Sequence, residues 1–140
     1  MYAYASHFVC DLAPQAQATV IALSGDLGVG KTTFVQGVAQ AFGITERITS
    51  PTFVIMKTYP LHNQVFETLI HIDAYRLTNA HELCVLGWNE MIKNPNNVIC
   101  IEWPERVGHS ISAQAYKLTL SFIDEHTREL TEANPEREEI

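Results

Sequence analysis

Apolar residues at Tyr4, Ala5, Phe8, Val9 and Leu12 fall on one side of a helix that ends near Pro14. The segment ATVIALS (18–24) is instead continuously apolar, the pattern of a central parallel strand covered on both faces. A Gly-rich loop follows directly, and the stretch from Lys31 to Phe42 reads as a helix closed by Gly43. Further on, ITSPTF predicts a Ser-Pro turn, and FVIMKTY (53–59) predicts a strand by its β-branched and aromatic content. After a hairpin connection at 61–64, residues 65–72 return as a strand ending in Asp73. Asn79 with Glu82 fits a capping box for a short helix through Leu86, and 94–97 reads as a turn. VICIEW (98–103) is a second run of buried type, stopped by Pro104. KLTLSFI and RELTEA, separated by DEHT, predict an antiparallel hairpin.

Helical and strand signals that interleave around two strongly apolar strands predict an α/β fold: a P-loop NTPase-like three-layer sandwich whose central sheet is mostly parallel, with an antiparallel portion. The 140 residues suit one domain, expected over 1–131 and followed by an acidic C-terminal tail, 132–140, with little to bury.

Composition narrows the classes. A content of 46% hydrophobic and 18% charged residues is that of a globular protein, and no apolar run approaches the roughly 20 residues that span a bilayer. The opening segment carries no basic leader or unbroken apolar stretch, so a cytoplasmic protein with no membrane partner is expected. The net charge of −7 speaks against direct nucleic-acid binding, which depends on Lys and Arg neutralising phosphates. Cys10, Cys84 and Cys100 match no zinc or redox spacing and are expected as small buried hydrophobes.

The chemistry lies in GDLGVGKT: Gly25, Asp26, Leu27, Gly28, Val29, Gly30, Lys31 and Thr32. These residues fill every fixed position of the phosphate-loop pattern, between a strand and a helix as that loop requires. The glycines let successive N–H groups cradle phosphates, Lys31 brings a point charge to the β- and γ-phosphates, and Thr32 offers a hydroxyl to magnesium. The helix that starts there aims its partial positive end at the same anion. Asp73 and Glu102, each ending an apolar strand, are the candidate acids, because ligands of open α/β sheets sit at the carboxyl ends of strands. Asp73 is assigned to magnesium and Glu102 to positioning water or supporting the metal's ligands from outside, with the exchanged roles left open. Ser50, Pro51 and Thr52 stand where a γ-phosphate sensor or an ordinary turn would fit equally. Arg76 and Arg106 are either phosphate-stabilising or solvated. His71, on the same strand face as Asp73, reads as packed or hydrogen-bonded rather than catalytic. No zinc site is expected.

GDLGVGKTTF, SPTF at Ser50 to Phe53, HIDAYRL at His71 to Leu77 and IEWPER at Ile101 to Arg106 together resemble the bacterial TsaE (YjeE) family, P-loop ATPases of tRNA threonylcarbamoyladenosine biosynthesis. The resemblance covers roughly residues 18–107. It implies ATP/ADP and Mg2+ as ligands, and TsaD and TsaB proteins as partners whose complex is cycled by ATP and which reach tRNA themselves. By motif, Lys31, Thr32 and Thr33 would hold phosphate and magnesium and Thr52 would belong to a mobile loop. Asp73 would serve the metal site, Glu102 the catalytic site, and Trp103 would lie near the nucleotide. Two departures are visible. The chain starts almost at its first helix, where members usually carry an additional strand and a Thr-containing turn. The C-terminal hairpin has Thr127 and Arg128 where a Gly-Arg pair is common. The alternatives are a nucleotide-gated binding module with negligible turnover and a small-molecule kinase, which the five scattered Arg residues disfavour.

Overall fold

The computed structural model describes residues 1–26, 28–51 and 54–133, so Leu27, Thr52, Phe53 and all of the expected tail beyond Ala133 lie outside the described residues. The elements are α1 (Tyr2–Cys10), β1 (Thr19–Ser24), α2 (Lys31–Ala41), β2 (Met56–Pro60), β3 (Thr68–Asp73), α3 (Ala80–Val85), α4 (Trp88–Lys93), β4 (Asn97–Glu102), β5 (Tyr116–Asp124) and β6 (Thr127–Ala133). Short 3-10 turns at Pro104–Arg106 and Gly108–Ser110 link β4 to β5.

The six strands form one sheet in the order β2-β3-β4-β1-β5-β6. The inner pairings β3–β4, β4–β1 and β1–β5 are parallel, and the edge strands β2 and β6 pair antiparallel. This is the expected α/β architecture with its antiparallel portion at both edges. Inner strands that bury both faces need apolar residues on both, as Val20 to Leu23 of β1 and Val98 to Ile101 of β4 supply, with the polar residues Thr19, Ser24, Asn97 and Glu102 confined to the strand ends. One face of the sheet presents Ile21, Leu23, Leu69, Val98, Leu118 and Leu120 to α1 and α2. The opposite face packs Val20, Ala22, Ile70, Ile72, Ile99 and Ile101 with Leu83 of α3 and Trp88 of α4. Each fully buried aliphatic side chain of these layers is worth about 1.5–3 kcal/mol.

Several boundaries differ from the sequence reading. β2 begins at Met56 because the N–H groups of Val54 and Ile55 both donate to the Pro51 carbonyl, holding those residues in a turn. β3 begins at Thr68, and Phe66 before it packs edge-on against Phe42 at 5.9 Å instead of joining the strand. Asn97 belongs to β4 rather than to the preceding turn, its side-chain amide donating to the Met91 carbonyl. α4 was not expected; its 6 residues are too few to display a helical period, and Gly87, with φ 97°, separates it from α3. Asn79 caps α3 by accepting from the Glu82 N–H, while the Glu82 carboxylate accepts from the N–H and hydroxyl of Thr78 rather than completing the box on Asn79. Of the cysteines only Cys100 is buried; Cys10 and Cys84 are exposed, because α1 and α3 turn Ala5, Phe8 and Leu83 inward instead. β6 carries Glu132 and Ala133, the first two residues of the expected tail, and Glu132 accepts a hydrogen bond from the Tyr4 hydroxyl of α1. Among the described residues no helix is long and apolar enough to cross a membrane.

α1 lies directly on α2, and the contact depends on Gly37. A Cβ there would stand 2.8 Å from the Ala5 Cβ and 3.2 Å from the Tyr2 ring. Gly37→Leu is therefore expected to destabilise the protein by about 1–3 kcal/mol through overpacking, read as a lower urea midpoint at unchanged slope.

Candidate functional site

β1 ends at Ser24 beneath the carbonyl of Leu120 on β5, and only glycine fits the next position. A Cβ on Gly25 would lie 2.5 Å from that carbonyl oxygen, and its φ of 144° belongs to a region essentially closed to other residues. The loop closes at Gly30, which caps α2 with φ 106° and no side-chain bond. The first N–H groups of α2 thus have neither intrahelical partners nor a capping side chain, the arrangement that receives an anion. Val29 anchors the loop in the core. Gly28 and Asp26 are exposed, as is Thr33 on α2.

Lys31 is only 5% exposed, and its ammonium donates to the Gly25 carbonyl and, at 3.1 Å, to that of Asp26. It also stands 4.0 Å from the centre of the Trp103 ring, a cation–π contact. Burial lowers its pKa from 10.5, against the opposing pull of Glu102, Glu105, Asp73 and Asp26. A desolvated ammonium surrounded by carbonyl oxygens is poised to gain from an anionic partner.

The parallel register fixes the two acids. Asp73 lies directly opposite Glu102 across β3 and β4, and Glu102 in turn opposes Leu23 of β1. Both carboxylates are buried, at 5% and 3% exposure. The Thr32 hydroxyl lies 3.3 Å from each oxygen of Glu102, and His71 Nε2 lies 2.6 Å from Oε2. Asp73 has different neighbours: its carboxylate accepts from the Ser50 hydroxyl at 3.2 Å and from the Tyr75 N–H at 2.9 Å. The Asp73 N–H donates to the Ile55 carbonyl, so the segment around Ser50 and Pro51 is tied to β3 at both ends of this residue. The structure thus gathers Lys31, Thr32, Asp73, Glu102, Trp103 and Ser50, leaving Thr33 outside the contacts just described.

Trp103 reaches Lys31 because the chain reverses there. Its φ of 59° is left-handed, rare for a bulky residue, and its N–H donates to the Leu23 carbonyl. The Tyr75 ring lies 5.0 Å from that of Trp103, tilted by 58°, and Arg106 lies 5.1 Å from the Tyr75 ring centre and 5.8 Å from that of Trp103. Tyr75 was given no separate role from sequence. Nothing in a strand-end Asp-Ala-Tyr announces a ring contact with the residue that follows another strand. Ile55, with φ 68°, was likewise unmarked.

A sequence profile of the family described as "Threonylcarbamoyl adenosine biosynthesis protein TsaE" matches residues 3–130. The chain is 37% identical over 117 residues to the tRNA threonylcarbamoyladenosine biosynthesis protein TsaE of Treponema pallidum, covering 84% of this chain and 83% of that one. The protein of the same description from Bacillus subtilis is 35% identical over 112 residues, covering 80% and 67%. That of Borreliella burgdorferi is 40% identical over 103 residues, covering 74% and 72%. The chain spans only 61% of the Rickettsia felis relative. Among solved structures, crystalline YdiB of Bacillus subtilis superposes with a TM-score of 0.76 at 28% identity, over 96% of this chain and 78% of that one. The profile match takes in the phosphate loop, both strand-end acids and most of the C-terminal hairpin, so the chain belongs to the TsaE family.

Proposed function

We propose that this protein is a magnesium-dependent ATPase serving tRNA threonylcarbamoyladenosine biosynthesis, in the cytoplasm, with TsaD and TsaB as partners that hold the tRNA. The observation that carries the reading is the convergence of Lys31 and Thr32, at the start of α2, with the buried Asp73 and Glu102 in one row of parallel strand ends. The oxygens of Thr32, Glu102 and Asp73 suit magnesium, a hard cation that takes a few protein oxygens and completes its shell with phosphate and water. When bound, magnesium would neutralise charge on the β- and γ-phosphates. Because the Thr32 hydroxyl meets Glu102 and not Asp73, Glu102 is the acid we place beside Thr32 at the metal. This reverses the preference drawn from sequence.

The other groups then divide the work. Loop N–H groups and the α2 terminus bind and orient the phosphates, while Lys31 exchanges its carbonyl partners for phosphate oxygens. Trp103 covers Lys31 and keeps water from the ammonium. Asp73, bonded to Ser50, links the site to the segment at Ser50 and Pro51, and we assign that segment the role of γ-phosphate sensor rather than of an ordinary turn. That same link favours a second reading, a nucleotide-gated docking module in which turnover is incidental. Switch proteins can be very slow without a partner, so phosphate release alone and with TsaD and TsaB separates the two. Turnover that rises in the complex supports the first reading, and ATP-dependent docking without turnover supports the second.

Replacing Lys31 with Ala should reduce phosphate release by at least about 100-fold, the scale for losing one electrostatic stabiliser. Wild-type turnover in that variant would remove the central assignment. Affinity for ATP should also fall as pH rises. The protonated ammonium binds phosphate, and burial has lowered its pKa from 10.5, so the decline should begin on the alkaline side below that value. Arg stays charged throughout, so Lys31→Arg should give a flat curve over the same pH range in a Kd titration.

A further inference from the structure

His71 takes no part in the reading above, yet packing accounts poorly for it. Its ring lies on the α2-facing side of β3 between Leu69 and Asp73, wholly buried beneath an apolar layer. Nδ1 is buried and has no hydrogen-bond partner among the described residues. An unpartnered buried polar atom costs about 1–3 kcal/mol, which an apolar side chain of similar shape would avoid. What the ring does make is one short bond: Nε2 stands 2.6 Å from Glu102 Oε2. A carboxylate offers acceptors only, so Nε2 is the donor.

Glu102 needs such a restraint. It is the last residue of β4, the chain reverses at Trp103, and three side-chain torsions separate its carboxylate from the strand. Its contacts with the Thr32 hydroxyl, 3.3 Å to each oxygen, are too long to fix the carboxylate plane. The His71 bond comes from below, out of a rigid inner strand whose neighbour in register is Cys100, two positions before Glu102.

We infer that His71 is a positioning residue: its Nε2–H holds the Glu102 carboxylate toward Thr32, so that the oxygen set for magnesium stands ready before nucleotide arrives. The inference rests on the reading of Glu102 as the acid beside the metal. Losing an outer partner of a metal-binding group typically costs 10–100-fold in metal affinity or activity.

Affinity for ADP, measured by calorimetry across a magnesium titration and again in EDTA, tests this on the full chain without requiring turnover. For His71→Leu the magnesium concentration that gives half the gain in ADP affinity should rise about 10–100-fold, while affinity in EDTA stays near wild type. His71→Gln, whose side-chain amide can donate from nearly the same place as Nε2, should recover most of the loss. Glu102→Ala should lose the same increment, with His71→Leu adding nothing to it. A folded His71→Leu variant with the wild-type magnesium requirement would overturn the inference. So would equal losses with and without metal that Gln does not repair, since that marks a purely structural role. If circular dichroism shows His71→Leu unfolded, His71→Gln against His71→Asn, whose amide is too short to reach Glu102, makes the same comparison. Wild-type affinity that ignores magnesium would overturn the metal-site reading along with the inference, whereas wild-type dependence that survives at position 71 overturns the inference alone.

Discussion

Everything at this site depends on the register of three parallel strands. Because Leu23, Glu102 and Asp73 stand in one row across β1, β4 and β3, the loop after β1 and both acids reach the same height above the sheet. A slip of one residue in either pairing would send an acid to the opposite face, since side chains alternate along a strand. The slip is prevented from below. Ile21, Val98 and Leu69 must face α2, while Val20, Ile99 and Ile70 must face α3 and α4. Hydrophobic burial in the lower sheet therefore fixes the position of charge in the upper sheet.

The charge so placed is expensive to the fold. Lys31, Asp73 and Glu102 are almost fully withdrawn from water, and a buried ion costs several kcal/mol unless hydrogen bonds replace its hydration. Each has protein partners in place of water: backbone carbonyls and an indole face for Lys31, a hydroxyl and an imidazole for Glu102, and the Ser50 hydroxyl and Tyr75 N–H among those of Asp73. The ligand proposed above, a triphosphate with its metal, would bring an anion to Lys31 and a cation to Glu102. The same low-dielectric surroundings that make the groups costly strengthen their grip on such a ligand.

Backbone strain sits on both flanks. Ile55 and Trp103 hold left-handed φ values that cost non-glycine residues roughly 1–2 kcal/mol each. The first hands its carbonyl to the Asp73 N–H, and the second carries its ring over Lys31. Strained residues that make specific contacts to residues of the site are held there by the surrounding structure. Together with the Ser50–Asp73 bond they connect the acids to the segments leading away from the site.

Local pattern determined much of this protein. The phosphate-loop pattern is legible because Gly25, Gly28, Gly30 and Lys31 stand at fixed neighbouring positions in one short stretch of chain, and the glycines hold backbone conformations that other residues rarely adopt. The buried strands β1 and β4 are legible because burial on both faces leaves their middle residues, Val20 to Leu23 and Val98 to Ile101, wholly apolar. The strand-end placement of Glu102 follows from the β4 run, and that of Asp73 from the apolar residues that precede it in β3. Short α4, with less than two turns, left no period to read, and the starts of β2 and β3 were set by hydrogen bonds to Pro51 and by the packing of Phe66 on Phe42. The pairing of Thr32 with Glu102, of Ser50 with Asp73, and of His71 with Glu102 was decided only by tertiary structure. These partners lie 70, 23 and 31 positions apart. A sequence names the residues that can donate and accept, but sheet order and register choose which of them meet.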